Sequence, residues 1–414
     1  MAQKITDIPV TIETPAIKAK KKRSIAMGAA FLMAMAAVGP GFLTQTATFT
    51  GQMGANFGFA IGICILVDIV VQLNIWRIII VSGKRAQVIA NDVFPGLGYV
   101  LSFLVAVGGF FFNIGNIGGA GLGLNVLFGI SPENGAIIAA AIAVKILIVK
   151  NALKAMDRTV MLLAVIKVGI LAYILAIMKV PYAPAIHHTF MPTQINFYSI
   201  VTIVGGTVGG YISFAGGHRL LEGGLHGKEN IKYVNEGALT GIGLASVIRI
   251  MLFLAGLAVV ITGAKLNPAN PAASIFQSAA GGFGYKFFGL LIFASGMSSI
   301  IGSTFTSTSF LDYAVGGKQE GAFKQYRTAF IIAFIVLSTA VFYFVGNPAQ
   351  VLVVVGAANG FVLPIALTIL LIASNRTKIM GTKYRHPLWL TITGWVVVLF
   401  MAFASVETVI NLVH

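Results

Sequence analysis

Two glycine-rich interruptions inside long apolar runs are where this sequence could do chemistry. The first reads Gly39-Pro40-Gly41-Phe42 and is followed by Thr44 and Gln45, then Thr46, Thr48 and Thr50. The second carries Gly205-Gly206, Gly209-Gly210 and Gly216-Gly217-His218-Arg219. Proline removes an amide donor and glycine loosens the backbone, so each run should break as a helix there. At membrane depth the freed backbone groups need partners from protein, water or a bound solute. Holding a small solute is therefore the chemistry on offer. Close helix packing is the competing explanation, strongest for Gly205 to Gly210.

Charged and polar side chains inside apolar runs are the second set of candidates, because burying them in a bilayer is costly. Asp68, Lys167 and Arg249 fall inside such runs. Lys167 could exchange a proton as a coupling group, or it could anchor Asp68 or Asp312. Ser298 and Ser299 could help backbone carbonyls hold a sodium ion, although small polar residues also favour tight packing. Asn359 could hydrogen-bond a solute or another helix. Arg219 could meet an anion, snorkel to an aqueous face, or pair with Glu222.

The elements that must position these groups follow from composition. The chain has 414 residues, 57% hydrophobic and 10% charged, with a mean hydropathy of +0.91. Apolar runs long enough to cross roughly 30 Å of hydrocarbon recur along it. They lack the alternation of a membrane barrel, so an all-α polytopic membrane protein is expected. Eleven spans are expected: 25–53, 57–82, 97–128, 135–150, 158–180, 198–223, 236–263, 285–313, 327–346, 348–373 and 387–413. Lysine and arginine fall in alternate loops, at Lys84 and Arg85, Lys150 to Arg158, Lys228 and Lys232, Lys318 to Arg327, and Arg376 to Arg385. The positive-inside rule then puts the N-terminus in the cytoplasm and the C-terminus outside.

The breaks fall in spans 1 and 6, five spans apart. Two five-span halves have opposite topology, an inverted repeat whose paired broken helices mark a midplane site. The division is a disordered basic cytoplasmic tail over 1–25, which lacks a signal-peptide cleavage pattern, repeats over 26–180 and 198–373, and a last span over 387–413. The net charge of +16 lies in loops between apolar runs, which argues against a nucleic-acid partner. The single cysteine, Cys64, permits no disulfide within the chain and no thiol metal cluster. No nucleophile elbow, paired His-Glu zinc motif or phosphate loop is present, which argues against an enzyme. No cofactor is expected. The partners are a small solute, a coupling proton or sodium ion, and the lipid bilayer.

Several short stretches resemble the Nramp divalent-metal transporters, of the leucine-transporter-like fold. Gln72-Leu73-Asn74-Ile75-Trp76-Arg77, then Ser82-Gly83 and Phe94-Pro95, are similar to the family's Q-x-x-x-x-R, T-G and Y-P. Leu124-Asn125-Val126-Leu127-Phe128-Gly129-Ile130 is close to L-N-L-L-F-G-I, and Gly289 to Ser299 resembles G-L-L-A-S-G-Q-S-S with an insertion. The last stretch is Leu363-Pro364-Ile365-Ala366-Leu367 with Lys378 to Gly381. The resemblance covers roughly 28–385 and implies alternating access, usually driven by protons. It also likens Lys167 to the lysine that sodium-independent members of the wider superfamily place where sodium otherwise binds.

The departures set the functional expectation. The family's D-P-G-N break is here Gly-Pro-Gly-Phe, and its M-P-H is aligned with Gly216, Gly217 and His218. The acidic pair that the family uses for proton movement is replaced by Asn113 and Asn116, which carry no charge. Without carboxylate or thioether a divalent metal should bind poorly. A small anion or organic acid, its carboxylate facing half-helix N-termini, fits better. The expected function is an ion-coupled secondary transporter in the plasma membrane, with a metal transporter of altered site as the alternative. A channel or receptor is disfavoured by the two broken helices and the lack of an appended domain. The expected solute site joins Gly39, Pro40, Gly41, Phe42, Thr44 and Gln45 to Gly216, Gly217, His218 and Arg219. Asn113, Asn116 and Asn359 complete it. The coupling candidates are Lys167, Asp68, Ser298 and Ser299, and no resident metal is expected.

Overall fold

In the computed structural model, which describes residues 15–148, 152–316 and 326–413, the chain is helical and has no strand among the described residues. In chain order the helices are α1 (Pro15–Ala37), α2 (Pro40–Met53), α3 (Phe57–Ser82), α4 (Ala86–Val93), α5 (Leu97–Phe128), α6 (Pro132–Ile148), α7 (Ala152–Ile177) and α8 (Tyr182–Phe190). They continue with α9 (Phe197–Thr207), α10 (Ile212–Glu222), α11 (Ile231–Val260), α12 (Pro271–Gly316), α13 (Arg327–Val345), α14 (Pro348–Ser374), α15 (Thr377–Met380) and α16 (Leu388–Val413). Eight stretches among the described residues are long and apolar enough to cross a membrane. Separating α1–α2 from α3, and adding α6 and α7, gives the eleven spans.

The first span of each half is interrupted, α1 from α2 at Val38-Gly39 and α9 from α10 at Val208 to Tyr211. This is the 5+5 arrangement with broken spans 1 and 6. The α9–α10 stretch is buried along its whole apolar window, so the interrupted helix lies at the centre of the bundle. The longest shared interface is α5 on α12, with α14 packed on α9 and α1 on α11. A smaller apolar cluster ties α5, α6, α12 and α13 together through Ile114, Ala139, Ile300 and Ile335.

Two helix starts lie well before the sequence expectation, and three short helices were not expected. The first helix begins at Pro15, so residues 15–25 of the expected tail are helical. Lys22 lies over the Tyr233 ring at 5.9 Å and Arg23 pairs with Glu236 at 3.6 Å, which holds this turn on α11. Span 8 starts as early as Pro271 and turns sharply at Ala280-Gly281, where Gly281 has φ +60. The short helices α4, α8 and α15 were not expected, because each is too brief to show a span-length apolar run.

Candidate functional site

At the first break Gly39 is extended (φ −76, ψ −175) and Pro40 opens α2. Proline at this position loses nothing, since the first amides of a helix have no intrahelical acceptor. The amides of Gly41 and Phe42 are the next two and share that condition. Neighbouring spans close tightly on the break. A Cβ on Gly119 of α5 would sit 2.3 Å from Pro40 Cβ, and one on Gly39 would sit 2.6 Å from Ser299 Oγ of α12. Phe42, Thr44 and Gln45 are fully buried. Gln45 donates to the Leu352 carbonyl of α14 at 2.8 Å, and its head group is wedged between the notches of Gly206 and Gly356.

The second break is Val208-Gly209-Gly210-Tyr211. Gly210 takes φ +59, a left-handed conformation that a Cβ would oppose. Ser213 Oγ donates to the carbonyl of Val208, satisfying one acceptor that the break releases. Asn359 of α14 wedges in beside it: its Oδ1 would be 2.2 Å from a Cβ on Gly210 and 2.3 Å from one on Gly108. The Asn359 amide donates to the carbonyls of Gly108 at 3.3 Å and Val355 at 3.1 Å. Asn359 thus joins α14 to α5 at the level of the break.

Several expected site residues sit elsewhere. Gly216, Gly217, His218 and Arg219 belong to the regular helix α10, beyond the break. Gly216 admits the Trp76 ring, whose Cζ2 would be 1.8 Å from a Cβ there, and Gly217 faces Ile79; both glycines serve α10–α3 packing. The Nε2 of His218 accepts the Ala86 N–H at 3.2 Å. Its Nδ1 therefore carries the proton and donates to Ser309 Oγ at 3.2 Å, and the ring stacks on Phe310. That histidine caps α4. The alignment of M-P-H with Gly216 to His218 is accordingly corrected: the break lies earlier, at Gly209-Gly210.

Asn113 also turns away from the breaks. Its amide donates to Ser338 Oγ of α13 at 3.2 Å, and its oxygen accepts from Ser303 Oγ of α12 at 3.0 Å. Asn116, one turn along α5, does face the second break and lies beside the Tyr211 phenol. The Asn116 amide and the Tyr211 hydroxyl are buried against each other, and Gln45 Oε1, Asn359 Oδ1 and Ser299 Oγ are buried without a hydrogen-bond partner. Buried polar atoms are nearly always satisfied, so this concentration of open donors and acceptors marks the junction of the breaks as a place that receives something polar.

Among the described residues, charge is absent from that junction. No Asp or Glu occurs in α2, α5, α9 or α14, and among the described residues no three His, Cys, Asp or Glu side chains form a metal cluster. Asp68 of α3 instead pairs with Arg249 of α11 at 2.8 Å, both side chains 0% exposed. The side chains of Lys167 and Asp312 lie outside the described residues. Ser298 donates to the Ser295 carbonyl at 2.9 Å, whereas Ser299 points at Gly39. A cleft of about 370 Å³ runs along α1, past Ser24, Gly28 and Met35, and reaches Ser298; Arg219 and Gly223 stand on its other wall.

Sequence reasoning missed Tyr211 and Gly119; it named Asp68 and Arg249 as intramembrane charges but not their pairing with each other. The signal for Tyr211 was present: two glycine pairs four residues apart, midway along the span, followed by an aromatic residue. Gly119 carried no signal, since only its neighbour in space explains it.

The comparisons with known proteins agree on the class. The family model described as natural resistance-associated macrophage protein-like (Nramp) matches residues 30–411. An uncharacterized membrane protein of Bacillus subtilis, YcsG, is 53% identical over 385 residues, covering 93% of this chain and 94% of that one. A membrane protein of Haemophilus influenzae is 51% identical, covering 94% and 97%. Among solved structures, a manganese transporter of Eremococcus coleocola superposes with a TM-score of 0.72 at 18% identity, over 98% of this chain and 90% of that one. MhsT in complex with L-phenylalanine gives 0.66 at 16% identity, over 92% and 98%.

Proposed function

The chain belongs to the Nramp family, and from that premise we propose that this membrane transporter is an ion-coupled carrier of a small organic acid or similar small anion. The observation that supports the reading is the set of groups gathered at the two breaks. The open amides of Gly41 and Phe42 head α2, whose N-terminus carries a positive partial charge. The Asn116 amide and the Tyr211 hydroxyl add two buried donors. The second break, Val208 to Tyr211, offers neither thioether nor carboxylate. A carboxylate fits such a donor set, and a divalent cation lacks the anionic ligand it normally needs.

Gln45 and Asn359 then act as wedges that hold α2 and the second break against α14. Asn113 bridges α5 to α12 and α13 and keeps those scaffold spans together. The cleft beside α1 is the route to the basic end of the bundle. By the distribution of Lys and Arg that end is cytoplasmic, and the carrier sits in the plasma membrane. The driving ion is a proton or sodium.

The test is uptake into proteoliposomes of radiolabelled L-lactate, pyruvate and L-glutamate, with manganese(II) as the rival. The reading expects saturable uptake of an acid and none of manganese. Asn116→Ala and Tyr211→Phe should each raise KM by about 10- to 100-fold, the loss of one hydrogen bond to a charged group. Saturable manganese uptake without uptake of any acid would return the chain to metal transport, which the manganese-transporting fold neighbour favours.

A further inference from the structure

The buried ion pair of Asp68 and Arg249 lies outside the junction just described, yet it is tied to it. Asp68 is near the middle of α3 and Arg249 near the middle of α11, and the second break is likewise midway along its span. One turn before Asp68, the thiol of Cys64 lies 3.2 Å from Thr207 Oγ and contacts the Ile203 carbonyl. Thr207 is the residue at which α9 ends and the break begins. Cys64, one turn from Asp68 and within its electrostatic reach, therefore links the pair to the second break.

The pair is also under-satisfied. Only Arg249 Nη1 and Asp68 Oδ2 are joined. Gln72 lies against the Asp68 carboxylate, while Arg249 Nε and Nη2 have no hydrogen-bond partner. A structural clip would be expected to use these atoms, since each open one is costly in a dry interior. Among the described residues, the titratable or charged groups facing Asp68 are Arg249 of α11 and Cys64 of its own helix, and α9 presents the Thr207 hydroxyl beside Cys64.

We propose that Asp68 is the proton-binding group of this carrier, and that one proton joins Asp68 for each monoanionic acid bound at the helix breaks. The proposal rests on the anion reading above. Its logic is charge balance in a low-dielectric core. The empty carrier holds Asp68 carboxylate beside Arg249 cation, with no net charge. An acid anion at the break adds one negative charge, and a proton on Asp68 removes one. The loaded carrier is again neutral, its anion balanced by Arg249. Anion without proton, or proton without anion, leaves an uncompensated charge in the membrane interior, which opposes the switch between faces. Anion and proton thus raise each other's affinity, as linkage requires. The proton enters from the water on the face where the acid binds and leaves to the water where the acid is released. This assigns to spans 2 and 7 a role that Asn113 and Asn116 of span 3 cannot fill.

The experiment uses wild-type protein in vesicles loaded with a pH-sensitive dye, given radiolabelled L-lactate, pyruvate or L-glutamate, with membrane potential clamped by potassium and an ionophore. The expected result is one proton entering per acid, at a rate indifferent to the clamped potential and to sodium. Asp68→Asn with Arg249 kept leaves the acid-loaded carrier neutral and the empty one positive, and should lose pH-driven uphill accumulation while acid–acid exchange persists; Asp68→Glu should keep accumulation. Uphill accumulation by Asp68→Asn, or uptake by the wild type that carries charge or needs sodium, overturns the assignment while leaving the anion reading intact. Because the wild-type arm needs no variant, misfolding of Asp68→Asn does not protect the proposal. If none of the three acids enters vesicles containing folded protein, the anion reading fails and this proposal falls with it.

Discussion

Replacing Gly210 by alanine tests where span 6 is broken and what the break is made of. Two costs arise. Gly210 has φ +59, and a left-handed conformation costs an L-residue about 1–2 kcal/mol. The new Cβ would also lie 2.2 Å from Asn359 Oδ1 and 3.0 Å from its Cγ, and overpacking of this kind costs about 1–3 kcal/mol. The total is about 2–5 kcal/mol. With an unfolding entropy of about 2.1 cal/mol/K per residue, the 414 residues give roughly 0.9 kcal/mol/K, so Tm should fall by about 2–6 °C. The control is Gly217→Ala, whose Cβ would meet only the end of the flexible Ile79 side chain at 2.9 Å; gain of helix propensity offsets that contact, and Tm should barely move. Adding Asn359→Ala to Gly210→Ala should relieve the steric share, so the pair should be non-additive, while the backbone share remains. The assay is thermal unfolding of purified protein followed by size-exclusion fluorescence, read as a ranking of variants. Equal Tm for Gly210→Ala and Gly217→Ala, or strict additivity with Asn359→Ala, would refute the reasoning and move the break back toward Gly216.

Removing the capping ring with His218→Ala should lower thermal stability by about 1–3 kcal/mol through loss of the Ala86 bond and the Phe310 stack, yet leave KM for the transported acid unchanged in the uptake assay. Arg249→Leu alone strands the Asp68 charge and should destabilise by about 3–5 kcal/mol, whereas Asp68→Leu with Arg249→Leu should be neutral or stabilising by thermal unfolding. Outside the membrane spans, His386 sits between Tyr384 and Asn74, its Nε2 2.8 Å from the Asn74 oxygen and its Nδ1 3.0 Å from the Tyr384 hydroxyl. Burial, and then the Arg77 charge, lower its pKa from 6.5 to about 4. Between those values the unfolded chain binds the proton and the folded one does not, so stability should be complete above about pH 6.5 and decline as pH falls toward 4. Measured as Tm against pH, His386→Gln should flatten the slope in that window.

The sequence by itself determined the class. Apolar run length, helical character and the alternation of Lys and Arg between loops are local or additive properties, and bilayer thickness converts them directly into a span count. The break at Pro40 was equally legible, because proline's missing amide acts on its own helix whatever surrounds it. The matching break was not. Glycine permits a bend without requiring one, and span 6 offers three glycine pairs. Only the neighbours distinguish them: Asn359 and the left-handed Gly210 make the break at Val208 to Tyr211, while the Trp76 ring occupies the gap at Gly216 and keeps α10 straight. The same applies to side-chain direction. Asn113 and Asn116 are nearly equivalent in sequence, but the first is spent on Ser303 and Ser338 while the second faces Tyr211. Asp68 and Arg249 lie far apart in the chain, and their pairing exists only because α3 and α11 pack with those two positions level. Partner choice across a bundle depends on helix rotation and depth, which no single span encodes and which the packed tertiary structure alone decides.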